Sequence, residues 1–175
     1  MLRLARIAEA PALAEMSREL IEAGLAWRYT PRRLAALMAE RDVLVVVMDQ
    51  AGDEVGGETG SGAGSGAGSL QGFAVMEFGD ERAHLVLLCV HATQQRLGLG
   101  RALHDWLLKS AQVAGMASIA LELRADNSTA MAFYRSLGYR EVDTVAGYYD
   151  GRIAARRMLR HLREDQASVR GETPR

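Results

Sequence analysis

Hydrophobic spacing divides the chain into alternating strand-like and helix-like segments. Residues 2–6, L-R-L-A-R, alternate as a short first strand would. From Pro11 the positions Leu13, Met16, Leu20, Ile21 and Leu25 recur at helical spacing, with Gly24 near the stop. A second helix opens with Thr30 as N-cap and Pro31 in its first turn, and Leu34, Leu37 and Met38 form its apolar face. Val43–Met48 is a β-branched run and predicts a buried strand. Leu70–Phe78 and Ala83–Val90 predict an antiparallel pair turning at Gly79–Asp80–Glu81. Gly100–Gly115 predicts a helix with Leu103, Trp106, Leu107 and Ala111 inward, and Ser118–Leu123 a strand. Ser128–Leu137 predicts a helix with Phe133 and Leu137 on one buried face and Met131 with Tyr134 on an adjacent one, ended by Gly138 in the left-handed cap position. Tyr139–Thr144 and Arg152–His161 predict closing strands. Two strand–helix–strand steps in the second half predict an α/β fold, a mixed sheet with helices on both faces.

One segment breaks this pattern. Residues 56–69, G-G-E-T-G-S-G-A-G-S-G-A-G-S, hold nothing that anchors a core and predict a flexible loop between two strands. Residues 1–162 therefore form one expected domain, with a polar tail at 163–175. A length of 175 residues fits a single core. A formal net charge of −1 argues against a protein that grips nucleic acid through phosphates. The single cysteine, Cys89, excludes an intrachain disulfide and a cysteine-rich zinc site. The apolar runs are too short to cross a bilayer and the N-terminus lacks a signal-peptide stretch, so a cytoplasmic protein without membrane partners is expected.

The segment V-H-A-T-Q-Q-R-L-G-L-G-R-A-L, Val90–Leu103, carries the first chemistry. A buried strand ends, a polar turn follows, two glycines flank Leu99, and an amphipathic helix begins. Backbone N–H groups and the helix dipole then converge on one concavity, which suits a pyrophosphate. Arg96 and Arg101 add positive charge. Glu122 lies about twenty residues on, as a dinucleotide fingerprint expects. That reading fails because Leu103 occupies the third glycine position and the strand ends well before Gly98. A P-loop fails because no Gly-Lys-Ser/Thr follows.

Gln95-Arg96-Leu97-Gly98-Leu99-Gly100 resembles the Gln/Arg-x-x-Gly-x-Gly/Ala acetyl-coenzyme A signature of the GNAT superfamily of N-acetyltransferases. Leu121–Asn127 (L-E-L-R-A-D-N), Ala130–Tyr139 (A-M-A-F-Y-R-S-L-G-Y) and Tyr148–Arg152 (Y-Y-D-G-R) resemble, in order and spacing, its ribosomal-protein alanine N-acetyltransferase branch. The resemblance covers residues 70–160 well and the N-terminal helices loosely. It implies a single GNAT domain whose mostly antiparallel sheet is splayed between its two central parallel strands. It implies acetyl-coenzyme A as cosubstrate, a primary amine as acceptor, and no metal. Gln95, Arg96, Leu97, Gly98, Leu99, Gly100 and Arg101 would cradle the pyrophosphate. Leu88, Cys89 and Val90 would offer main-chain groups to the pantetheine and thioester. Asn127 would hydrogen-bond the coenzyme, besides capping its helix.

The residues themselves leave alternatives. Glu122 sits in I-A-L-E-L with Leu121 and Leu123 on the other face. A carboxylate inside an apolar strand resists ionisation and would serve as base, the role the resemblance assigns. The alternative is an ion pair with Arg124 or Arg140. Tyr134 is the matching acid, at the coenzyme sulfur; the alternative is a packed ring with its hydroxyl at the rim. Cys89 reads as core, not nucleophile, and His84 and His104 show no metal-ligand spacing. Trp27 and Tyr29 of the first loop, with Tyr148 and Tyr149 of the late hairpin, are candidate walls for the acceptor. Two departures from the branch stand out: Gly151–Ala155 reads G-R-I-A-A in place of G-R-E-D-A, and the Gly/Ser/Ala segment is foreign to it. Arg152, Arg156, Arg157 and Arg160 read as a solvated strand face. A non-catalytic acyl-coenzyme A sensor is the second functional class open to this sequence. Monomer and homodimer are both compatible with it.

Overall fold

A computed structural model describes residues 1–50 and 70–162. The Gly/Ser/Ala segment 56–69 and the tail 163–175 lie outside the described residues. The elements run β1 (Leu2–Leu4), α1 (Ala10–Leu20), α2 (Pro31–Ala39), β2 (Val43–Asp49), β3 (Leu70–Phe78), β4 (Arg82–Val90), α3 (Leu99–Val113), β5 (Ser118–Arg124), α4 (Ser128–Ser136), β6 (Arg140–Tyr149) and β7 (Ile153–His161). Seven strands form one sheet in the order β1-β2-β3-β4-β5-β7-β6. All pairings are antiparallel except β4 with β5.

Local chemistry explains the boundaries. Thr30 caps α2 by accepting the Arg33 N–H, and Asn127 Oδ1 caps α4 by accepting the Ala130 N–H at 2.9 Å. Gly138 ends α4 at φ 85°, a conformation that favours glycine. The first strand stops at Leu4 because its pairing with β2 ends there. The helix expected from Pro11 to about Gly24 ends earlier, at Leu20. The closing hairpin is longer than the hydrophobic pattern suggests. β6 runs to Tyr149 because irregular pairing with β7 resumes at Tyr149↔Ile153, while Tyr139 precedes the strand and is buried.

The sheet separates two apolar layers. On one face Leu13, Ala14 and Leu34 of α1 and α2 pack on Val45, Val47, Phe73 and Leu87. On the other, Leu103, Leu107 and Ala111 of α3 pack on Met76, Leu85, Ile119 and Leu121. His104 joins this buried face of α3, whereas the predicted Trp106 is only partly covered. On α4 Tyr134 and Leu137 are buried, and Met131 and Phe133 pack partly covered beside them.

Two features open the sheet. β4 pairs with β5 only through Arg82↔Ser118, Ala83↔Ile119 and His84↔Ala120, after which the strands diverge. The register between β3 and β4 also slips, so that Met76 faces Leu85 and Val75 faces Leu87. Val86 is the extra residue, and such a bulge bends its strand. From Leu85 onward the β5-facing edge of β4 has no strand partner. No helix among the described residues is long and apolar enough to cross a membrane.

Candidate active site

The split between β4 and β5 is a cavity of about 1080 Å³, larger than an ordinary small-molecule site. It passes through the sheet. One end is formed by the start of α3 and by α4, the other by the α1–α2 loop and the β6–β7 hairpin.

At the first end, Arg96 adopts φ 67° and Gly98 φ 85°. These turns bring the chain round so that α3 starts at the cavity wall. The first amides of a helix lack intrahelical acceptors, and the helix dipole favours an anion there. Only at Gly98 is glycine demanded by the backbone; a Cβ on Gly100 would make ordinary contact with Phe133, 3.5 Å away. Gln95, Arg96, Gly98, Gly100 and Arg101 line this end. Leu97 does not; it is exposed at the surface. Leu99 packs against the core under α3. Gln95 Nε2 donates to the Val90 carbonyl at 3.1 Å, tying the turn to the end of β4. Leu88, Cys89 and Val90 line the cavity along the unpaired edge. The Cys89 thiol is buried, points to the Met16 carbonyl, and is pushed up to about 12 by desolvation. That places its side chain in the core, away from chemistry.

Asn127 and Tyr134 line the same end from α4. The Tyr134 ring packs edge-on against Phe133 and Tyr139 at 5.2 and 5.5 Å. Among the described residues no side chain or backbone group hydrogen-bonds its hydroxyl. Burial raises its pKa, so the phenol keeps its proton at neutral pH.

Glu122 lies at the centre, its side chain 13% exposed. Its partners are not Arg124 or Arg140. His84 Nε2 is 2.6 Å from Oε2, and Arg157 Nε donates to Oε1 at 2.9 Å. Arg124 binds Asp126 instead. The expectation that apolar surroundings would make Glu122 resist ionisation is therefore corrected. The hydrogen bond from His84 outweighs burial, Arg157 adds to it, and the carboxyl is held below its usual range. The basic face of β7 is corrected too: Arg157 serves Glu122, and Arg156 pairs with Glu141.

The second end holds Tyr29, Tyr148 and Tyr149, the last two edge-on at 4.9 Å. Tyr149 is pushed up to about 12, mainly by burial. Trp27 is not there. It packs against the α1/α2 core with Arg18 stacked 4.7 Å over its ring, so it is not a wall of the cavity. Two residues overlooked in the sequence shape this end. Glu22 is 5% exposed and accepts the N–H groups of Arg28 at 2.6 Å and Tyr29 at 3.3 Å. Asp150 accepts the Ala26 N–H at 2.9 Å, tying the α1–α2 loop to the hairpin. Neither has a sequence signal, because each acts on backbone that only the fold brings near. Among the described residues no cluster of three His, Cys, Asp or Glu side chains could hold a metal ion.

An anion cradle, an open strand edge, a protonated phenol and a carboxylate–imidazole pair on one passage suit transfer of an acyl group from a phosphate-bearing carrier. The comparisons with known proteins agree. The family model "Acetyltransferase (GNAT) domain" matches residues 64–158. The chain is 39% identical over 86 residues to the [ribosomal protein bS18]-alanine N-acetyltransferase of Escherichia coli (strain K12), covering 47% of this chain and 58% of that protein. The chain thus spans little more than half the length of this curated relative. The crystal structure of the ribosomal-protein-S18-alanine N-acetyltransferase from Escherichia coli superposes with a TM-score of 0.72 at 26% identity, over 92% of both chains. The paia N-acetyltransferase from Thermoplasma acidophilum, solved in complex with coenzyme A, shares the fold with a TM-score of 0.72 at 17% identity, over 93% of this chain and 98% of that one. With the family model matching more than half of its residues and the splayed sheet in place, the chain belongs to the GNAT acetyltransferase family.

Proposed function

We propose that this protein transfers the acetyl group of acetyl-coenzyme A to a primary amine, the N-terminal amine of a polypeptide. One observation carries the reading: a single passage through the sheet joins the anion cradle at the start of α3 to Glu122 and the tyrosine-lined mouth. The printed activities of the relatives support a polypeptide acceptor, and the open mouth between the α1–α2 loop and the hairpin suits an extended chain end.

Acetyl-coenzyme A supplies an activated thioester when bound. The residues supply the rest. The amides opening α3, with Arg96 and Arg101, hold the pyrophosphate. The unpaired edge of β4 at Leu88–Val90 aligns the pantetheine arm by main-chain hydrogen bonds and polarises the acyl carbonyl. Asn127 borders the arm while capping α4. Ionised Glu122 favours a cationic amine at the mouth, and with His84 it forms the basic end of the site. Tyr134 Oη protonates the departing sulfur. Tyr29, Tyr148 and Tyr149 flank the acceptor. The G-R-I-A-A sequence after the hairpin tyrosines lacks two acidic side chains that the alanine N-acetyltransferase branch carries there.

Thermal-shift titration with acetyl-coenzyme A, coenzyme A and NAD tests the cradle. Stabilisation by the two coenzyme A ligands and not by NAD is expected, since ligands that bind only the folded state raise its melting temperature. Thiol release is then screened with peptides starting in Ala, Ser, Gly and Met, and with spermidine. Release with spermidine alone would replace the polypeptide acceptor by a small amine.

A further inference from the structure

The β6–β7 hairpin turns through Tyr149-Asp150-Gly151-Arg152. Asp150 and Gly151 take left-handed φ values of 53° and 71°, and the Arg152 N–H returns to the Tyr149 carbonyl at 3.0 Å. Two central residues with positive φ match the right-handed twist of the flanking strands, and Asp-Gly is a favoured pair there. Asparagine or glycine in place of Asp150 would serve such a turn equally well. The turn therefore explains a small polar residue at this position but not a carboxylate.

The carboxylate reaches across to another element. Its Oδ2 accepts the N–H of Ala26 at 2.9 Å, and its Oδ1 lies 4.0 Å from the Arg28 guanidinium. From the β5 side Arg124, itself held by Asp126, donates to the Ala23 carbonyl at 3.2 Å. Among the described residues these two are the hydrogen bonds that join the loop tip, residues 23–26, to the strands around the site. Glu22 gathers the amides of Arg28 and Tyr29 and so shapes the loop from within, without fixing it to the hairpin. Leu25, Ala26 and Tyr29 line the cavity from the loop, and Tyr148, Tyr149 and Asp150 line it from the hairpin. The bond from Asp150 to Ala26 therefore sets how far apart these two walls stand.

We propose that Asp150 is a positioning residue for the acceptor: from the hairpin turn it holds Ala26 and keeps the α1–α2 loop where an entering amine finds a formed mouth. This rests on the acetyl-transfer reading above. Asp150 acts through the main chain of the loop, at the end of the passage away from the α3 cradle. A loop released at Ala26 samples positions that do not receive the acceptor. The apparent affinity then falls by the fraction of time the loop spends in place. An ordinary hydrogen bond biases such an equilibrium by about 3–10-fold. Saturating acceptor selects the held position, so the loss falls on the acceptor KM rather than on kcat. The Arg28 pair adds little, because the Arg28 side chain is 47% exposed and the separation is long. The working part is the oxygen on the Ala26 amide, not the charge.

Asp150→Gly and Asp150→Asn separate the turn from the latch. Both keep the turn, and only asparagine keeps an oxygen for the Ala26 N–H. Initial rates are measured with acetyl-coenzyme A and an alanine-initiated tetrapeptide. The peptide KM should rise about 3–10-fold in Asp150→Gly and stay close to wild type in Asp150→Asn. In both variants kcat, the coenzyme KM and the thermal shift with coenzyme A should match wild type. Amide hydrogen exchange gives a readout free of turnover: the Ala26 N–H should exchange faster in Asp150→Gly and at the wild-type rate in Asp150→Asn. A wild-type peptide KM in Asp150→Gly, or the same rise in both variants, would overturn the assignment. Lost coenzyme binding in Asp150→Gly would overturn it too, by showing a general structural role. A wild type that binds coenzyme A but acetylates no peptide or amine overturns the acetyl-transfer reading itself, and Ala26 exchange tells that outcome apart from failure of Asp150 alone.

Discussion

Tyr134→Phe separates chemistry from packing more cleanly than any other single change here. The ring is 9% exposed and packs edge-on between Phe133 and Tyr139, and phenylalanine preserves those contacts. The hydroxyl makes no hydrogen bond within the described protein, so removing it leaves no orphaned partner. Stability should therefore stay within about 0.5 kcal/mol of wild type, the range of changes that break no buried interaction. For a chain of this size that is a melting shift under about 2 °C. The rate should respond differently. Loss of a general acid slows a step by about 10²–10⁴-fold, equivalent to roughly 3–5 kcal/mol of transition-state stabilisation. The assay is initial-rate thiol release alongside a thermal melt with and without coenzyme A. Burial raises the Tyr134 pKa, so this residue should impose no basic limb below about pH 10 in wild type. An unchanged rate with an unchanged melt would make the tyrosine purely structural. A large melting loss would show that the hydroxyl holds the fold, against the packing described.

Three further outcomes follow from the same geometry. Gly72→Ala should lower stability by about 1–3 kcal/mol, because its Cβ would lie 2.7 Å from the Cys89 carbonyl oxygen and push β3 off β4; weaker coenzyme A binding by calorimetry should accompany it, and an unchanged melt would refute the close approach. Tyr139→Phe should cost about 1–3 kcal/mol by stranding His104 Nε2, 3.1 Å from the Tyr139 hydroxyl in the core. Adding His104→Leu should recover part of that loss, and strict additivity in urea melts would contradict the pairing. Glu122→Gln should be less stable than wild type at pH 7. Since the folded carboxyl titrates below its usual range, the wild-type advantage is complete above the ordinary value of about 4.3 and vanishes as pH falls through the lowered one. An advantage that grows on acidification below pH 4 in urea melts would reverse the sign.

The sequence carries the features that depend on neighbours along the chain. Thr30 and Asn127 as caps, Gly138 in the left-handed region, and the turn into α3 are all readable because a cap or turn is set within four residues. The family motifs add the splayed sheet, which spacing alone does not specify. What escapes is cross-strand. His84 and Glu122 are separated by 38 residues, and Glu122 and Arg157 by 35, so no local pattern joins them. Without those partners, burial alone suggests a carboxyl that resists ionisation; with them the shift reverses. Trp27 misleads for a related reason. A tryptophan in a loop near a predicted mouth reads as a wall, but Glu22 gathers the backbone at Arg28 and Tyr29, and the indole packs on the core beneath. The bulge at Val86 is likewise invisible in L-V-L-L-C-V, because a slip in register depends on the strand alongside.

The most direct test is mass spectrometry of an alanine-initiated peptide with an internal lysine after incubation with the protein and acetyl-coenzyme A. One acetyl group on the α-amine, none on the lysine, and an equal amount of free thiol are predicted. An unmodified peptide, with the thioester intact while the protein binds coenzyme A, would contradict catalysis and leave an acyl-coenzyme A sensor.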